Sequence, residues 1–240
     1  ALLADQTRDI VRTKAMALVG ASIGLMFALS LVLAPLLASW VGLAGLFALT
    51  AVLALAGVAV VLWVVPAEPS RRKVVARGSL RTVLAHGPTL RLNFGVFVLH
   101  AVLLAMWVAV PQMLVDAGLD KAHHWWIYLP TITLSFFVMA GTLFPLERRG
   151  YLRAVFLGAV ALIALVQLGL AASAAAGPSL AVLGVLLFAF FCGSNILEAS
   201  QPSIASRAAP PEARGAALGL YNTLQSLGFF AGGAAGGLLL

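Results

Sequence analysis

The chain has 240 residues, of which 62% are hydrophobic and 10% charged, with a formal net charge of +7. A soluble domain carries roughly 45–50% apolar and about 25% charged residues, so a water-soluble globule, a disordered tail and a disulfide scaffold (Cys192 is the sole cysteine) are all excluded. What remains is an integral membrane protein.

Seven apolar stretches reach the length of about 20 residues that a helix needs to cross a hydrocarbon core. In chain order they fall at 15–38, 41–65, 93–115, 125–146, 152–174, 179–204 and 215–240. Continuous runs rich in Leu, Ala, Val and Phe predict helices, because membrane strands would alternate over shorter segments. Spans one and two are separated by a short turn at Ser39–Trp40. Trp125, Trp126 and Tyr128 open span four as an interfacial aromatic belt. The only long connection, 66–91, holds Pro66, Pro69 and the run Arg71–Lys73. Its Val74, Val75, Leu80, Val83 and Leu84 predict an amphipathic helix along the membrane surface.

Basic residues divide by connection. Fourteen of the fifteen, including Arg8, Arg12, Lys14, Arg77, Arg91, Arg148, Arg149, Arg153 and Arg207, fall on one side of the predicted spans, and Lys121 alone on the other. The positive-inside rule then makes the N-terminus and every basic loop cytoplasmic. No basic stripe carries interleaved aromatics on a soluble face, so nucleic acid is not a partner.

Span seven holds Gly219, Gly228, Gly232, Gly233, Gly236 and Gly237. The residues Gly228, Gly232 and Gly236 form a strip that lets another helix approach closely. Span one places Ala21, Ser30, Ala34, Pro35, Ala38 and Ser39 at matching intervals. Its entrance, Lys14-Ala-Met-Ala-Leu18, parallels Arg214-Gly-Ala-Ala-Leu218. These spans lie six apart, as in a chain with internal repeats.

On these residues the chain resembles the major facilitator superfamily, whose twelve helices form two six-helix halves joined by a long cytoplasmic linker. The small-residue spacing resembles that superfamily's antiporter motif, with Pro35 kept in span one and the glycines kept in span seven. More closely, the chain resembles the YajR-like branch of bacterial efflux transporters, through Ala4-Asp5-Gln6-Thr7-Arg8, Arg12-Thr13-Lys14-Ala15-Met16, Leu92-Asn93-Phe94-Gly95, Leu99-His100, Asp116-Ala117-Gly118, His124-Trp125, Asn195, Leu197-Glu198-Ala199 and Pro202-Ser203. The resemblance implies a fragment holding helices five to eleven of twelve. It divides the chain into the end of an N-terminal half (1–65), a linker (66–91) and the first five helices of a C-terminal half (92–240). The loop motif of that superfamily has its second-half counterpart in Glu147-Arg148-Arg149-Gly150 and Arg153. Asp5 and Arg8 would join the charge cluster that latches one closed state. Pro35, Gly228, Gly232 and Gly236 would serve close helix packing.

An ionisable side chain at membrane depth is costly and is a functional candidate by default. Glu198 is the only acid well inside a span. Ser194, Glu198 and Gln201 lie within about 60° on a helix, and the small Ala205, further along that face, is expected to leave room for a hydrated cavity. Glu198 would there bind a proton or a cationic substrate; the plainer reading ties helix ends or a basic loop together. His100, the only deep histidine, shares a stripe with Asn93, Trp107 and Pro111. It would shuttle protons or hold a helix seam as a neutral ring. Asn222, Gln225 and Ser226 share a side, expected to face a substrate cavity and so to differ in role from the glycine strip, or else to bond between helices. Asn195 joins the candidates through the resemblance. His123 and His124 lack helical zinc-ligand spacing, so no metal is expected.

The expectation is an all-α polytopic bundle, part of a secondary active transporter that exports drugs or other small amphipathic molecules by alternating access. The proton gradient supplies the energy, no cofactor is needed, and the complete protein works as a monomer in a bacterial inner membrane. A sugar or metabolite exporter is the alternative within the superfamily. A seven-helix retinal receptor lacks its lysine within a span, and no enzyme motif occurs.

Overall fold

The computed structural model describes residues 9–65, 83–209 and 213–239. They form α1 (Asp9–Trp63), α2 (Gly87–Asp116), a short 3-10 turn (Lys121–His123), α3 (Trp125–Arg148), α4 (Leu152–Ala176), α5 (Leu180–Ala208) and α6 (Arg214–Leu239). Among the described residues there is no strand. All seven expected spans fall on helix, and five stretches are long and apolar enough to cross a bilayer: Leu36–Trp63, Gly87–Asp116, Lys121–Arg148, Leu152–Ala176 and Leu180–Ala208.

Element boundaries correct the sequence reading in two places. The helix continues through Ser39 and Trp40 and breaks instead at Gly42, whose backbone turns to φ 67°, ψ −179°. Only a residue without Cβ takes that conformation cheaply. Span three starts early, at Gly87, with Pro88 in the first helical turn, where a missing N–H costs nothing.

At the centre stands α5, with Leu183, Leu187 and Phe190 fully buried. One continuous core joins it to Leu99, Met106, Val110 and Leu114 of α2, to Ile132, Met139 and Leu143 of α3, and to Ala159, Ile163 and Val166 of α4. In lipid such contacts hold helices by close packing and polar bonds rather than by escape from water. The tightest seam is α2 against α6. A Cβ on Gly232 would run into the Ala101 backbone, one on Gly228 into the Phe97 carbonyl, and one on Gly236 would stand 3.1 Å from the Val108 Cβ.

Two surface expectations change. Trp125 and Trp126 are exposed, but Tyr128 is buried, its ring 4.7 Å from that of Trp107. One helical turn is enough to carry it from the rim to the core. Of the connection 66–91, residues 66–82 lie outside the described residues. Val83 does not lie along a membrane surface: it is buried against Ala209, Ala213 and Ala217, at the junction of α5 and α6.

Candidate functional site

Three helices bring their polar side chains together halfway along the bundle. His100 of α2 is fully buried. Its Nδ1 lies 2.8 Å from the Val96 carbonyl, which can only accept, so Nδ1 carries the hydrogen. That leaves Nε2 as the reactive nitrogen. Gln225 of α6 places its amide nitrogen 2.8 Å from Nε2, and Glu198 of α5 places Oε1 3.6 Å from it. Phe229 closes one side, its ring edge-on to the imidazole at 4.9 Å. In the neutral tautomer Nε2 accepts from the Gln225 amide.

The two acid–base groups differ in access. The His100 side chain is 0% exposed and that of Glu198 is 34% exposed, so the carboxylate is the member that a ligand reaches. Among the described residues no lysine or arginine is paired with Glu198, and the basic group beside it is the His100 imidazole, which forms an ion pair only when protonated.

The other candidates separate. Asn195 donates its amide hydrogen to the Ser135 hydroxyl of α3 at 2.7 Å, so it joins α3 and not the His100 cluster. Gln201 is buried with Oε1 unpartnered, and Asn93 is buried with both amide atoms unpartnered. Asn222 and Ser226 are exposed, and the Ser226 hydroxyl returns to the Asn222 carbonyl of its own helix. Gln225 parts from them: it lies in line with Gly228 and Gly232, on the face pressed against α2. Of the polar side expected to differ in role from the glycine strip, Gln225 alone shares the strip's face. Ala205 is fully buried against Val96 and Tyr221, so no space opens beside it. Asp5 and Arg8 lie outside the described residues, as does the Pro35 side chain.

The sequence reading missed two pairings. Arg207 at the end of α5 donates to Glu147 at the end of α3 at 2.9 Å. Arg207 stood in the count of basic residues and Glu147 in the loop-motif counterpart at the same end, which was the available signal. Ser135, the partner of Asn195, carried no signal at all, since a lone hydroxyl in an apolar helix ordinarily returns to its own backbone. Among the described residues no cluster of His, Cys, Asp and Glu is able to hold a metal.

Known proteins agree with this architecture. The family model described as Major Facilitator Superfamily matches residues 1–233. The chain is 39% identical to the inner membrane transport protein YajR of Escherichia coli (strain K12), over 99% of this chain and 52% of that protein. It is 28% identical to an uncharacterized transporter of Buchnera aphidicola subsp. Acyrthosiphon pisum, over 97% of this chain and 60% of that one. The chain thus spans little more than half the length of these relatives. With its multi-pass helices and a family match along nearly its whole length, the chain belongs to the major facilitator superfamily.

Proposed function

We propose that this chain supplies the coupling site of a proton-driven exporter of small amphipathic molecules in a bacterial inner membrane. Residues 1–65 end one half, 66–91 link the halves, and 92–240 begin the second. The N-terminus and the basic loops face the cytoplasm. Family membership and the printed role of the Escherichia coli relative in inner-membrane transport support the coarse reading. The His100–Glu198–Gln225 cluster carries the finer one.

The chemistry follows from the hydrogen-bond inventory. With Nδ1 committed to Val96, a proton reaching His100 binds at Nε2, which changes from acceptor to donor. Glu198 Oε1, 3.6 Å away, then becomes its natural acceptor. Gln225 must present its amide oxygen in place of its nitrogen, and a carboxamide has both ends available. The cluster therefore has two arrangements that differ by one proton: Nε2 accepting from the Gln225 amide, or Nε2–H directed at the Glu198 carboxylate. A cation or a polar group of the substrate that takes the exposed carboxylate competes with the imidazolium for the same oxygen. Mutual exclusion of proton and substrate at one site is what exchange transport requires.

The test is gradient-driven export by the full-length protein in proteoliposomes. Glu198→Gln keeps the shape and removes the carboxylate that receives the imidazolium, so insertion and yield persist while export no longer responds to an imposed pH gradient. An unchanged response would return Glu198 to a structural role.

A further inference from the structure

A second polar site lies at the basic end of the bundle, away from His100. Between α1 and α3 a cavity of about 380 Å³ is lined by Lys14, Ala140, Phe144, Pro145, Arg148 and Arg149. The two helices come into contact where Gly24 faces the Phe136 ring, and the cavity opens about three turns further toward their basic ends. Lys14 Nζ stands 5.9 Å from the centroid of the Phe144 ring, which holds the ammonium over the cavity by cation–π attraction. Arg148 closes the last turn of α3. Arg149 caps it, its N–H bonded to the Pro145 carbonyl, before the chain reverses at Gly150, φ 84°.

Three cations from two helices thus converge on one space. The nearest acid in sequence, Glu147, is engaged by Arg207. Among the described residues no carboxylate pairs with Lys14, Arg148 or Arg149. Like charges gathered without an anion repel, and the arrangement is stable where an anion is supplied. The cavity also has an apolar floor of Ala140, Phe144 and Pro145. A ligand that satisfies both parts carries a negative head joined to an apolar body.

We infer that this cavity binds the headgroup of an anionic phospholipid, with the phosphodiester on Lys14, Arg148 and Arg149 and the roots of the acyl chains along Phe144 and Pro145. Basic pockets between membrane helices favour such headgroups, and guanidinium forks match phosphate oxygens two at a time. The lipid bridges α1 to α3 at this end of the bundle. Its binding rests on membrane embedding and not on the proton chemistry at His100, so loss of coupled export in Glu198→Gln leaves it standing.

The experiment is native mass spectrometry of the purified, delipidated full-length protein titrated with phosphatidylglycerol or with phosphatidylcholine. The wild type retains one phosphatidylglycerol in preference to phosphatidylcholine. The double change Arg148→Gln, Arg149→Gln weakens that binding about tenfold or more, the effect of losing at least one charge-assisted hydrogen bond. Arg153→Gln, at the same end but outside the cavity, leaves it unchanged. Equal retention of the two lipids by the wild type overturns the inference without recourse to any variant. An equal loss from Arg153→Gln overturns it in favour of diffuse surface charge. Full displacement by millimolar inorganic phosphate overturns it in favour of a free anion.

Discussion

The stretch Leu36–Trp63 and helix α5 are both apolar and long enough to cross a bilayer, yet within this chain, which spans little more than half the length of its relatives, one lies uncovered and the other central. No side chain between residues 36 and 63 is buried, whereas α5 buries fifteen, including Ser194, Ser200, Gln201 and Ser203. The more polar helix is the central one. Apolar side chains insert a helix into lipid but give it no reason to leave lipid for another helix. Polar side chains do give one, because each needs a partner that lipid cannot supply. In the uncovered stretch the Ser39 and Thr50 hydroxyls return to their own backbone at Leu36 and Leu46. By contrast α5 sends Asn195 to α3, Glu198 to α2 and Arg207 to α3.

The largest expected break of this contrast comes from size. At Gly232 a side chain meets the backbone of Ala101 rather than a movable side chain, so α6 must be displaced from α2. Gly232→Leu should cost at least the ~1–3 kcal/mol of an overpacked core and lower the melting temperature and the monodisperse yield in detergent. At Gly57 nothing stands within 4 Å, so Gly57→Leu should stay within about 0.5 kcal/mol of the parent. Similar melting of the two variants would mean that the seam between α2 and α6 is loose.

Periodicity explains how much of this the sequence held. It placed the helices, the small-residue strip and the two deep ionisable groups, because each is a property of one helix. It did not show that His100 meets Glu198, since the 3.6-residue period tells which face a residue lies on and not which helix that face adjoins. Gln225 was within reach: three residues before Gly228 and seven before Gly232, it lies about 60° and about 20° from them on a helix. Grouping it with Asn222 and Ser226 by residue type obscured that. The mistaken room beside Ala205 has a similar origin, because a small side chain marks either a cavity or a close approach, and here Val96 and Tyr221 approach.

Burial of polar atoms sharpens the contrast in the reverse direction. Asn93 is buried with neither amide atom bonded. Asn93→Leu has a similar shape and should stabilise the fold by about 1 kcal/mol, since it removes an unsatisfied pair. In the exposed stretch Leu53→Gln should destabilise by a comparable amount, as a new amide faces surroundings without partners. Paired melting curves decide it. Destabilisation by Asn93→Leu would show that the amide is bonded in the working protein, by water or substrate.

Smaller in energy, though not in consequence, is the sidedness of the two ends. A cysteine replacing exposed Arg149 should react with an impermeant maleimide only from the cytoplasm, and one replacing exposed Asp120 only from outside. The native Cys192 is buried and gives a low background. Labelling of both from one face would remove the assignment of α3 as a complete crossing.

The smallest effect belongs to the ion pair that joins the two ends of α3 and α5. Arg207 and Glu147 meet at 2.9 Å, closer than His100 and Glu198 at 3.6 Å, and on distance alone the first pair would be the stronger. Access reverses the order. The Arg207 side chain is 33% exposed and that of Glu147 is 16% exposed, so water and salt screen the attraction. Coupling in a double-mutant cycle of Arg207→Ala and Glu147→Ala should be about 0.5 kcal/mol, within the ~0.2–1 kcal/mol of solvent-accessible pairs, and should shrink as salt rises. The cycle cancels the other contacts that each side chain makes. At His100 and Glu198 the imidazole has no exposed surface while the carboxylate is 34% exposed, so coupling measured there by His100→Ala and Glu198→Ala should be larger where the imidazole is protonated and should depend less steeply on salt. Salt-insensitive coupling above about 2 kcal/mol at Arg207 and Glu147, beyond what an accessible pair provides, would make that pair a shielded clamp between α3 and α5. The strong polar contacts of α5 would then extend to its basic end rather than stop at the middle of the bundle.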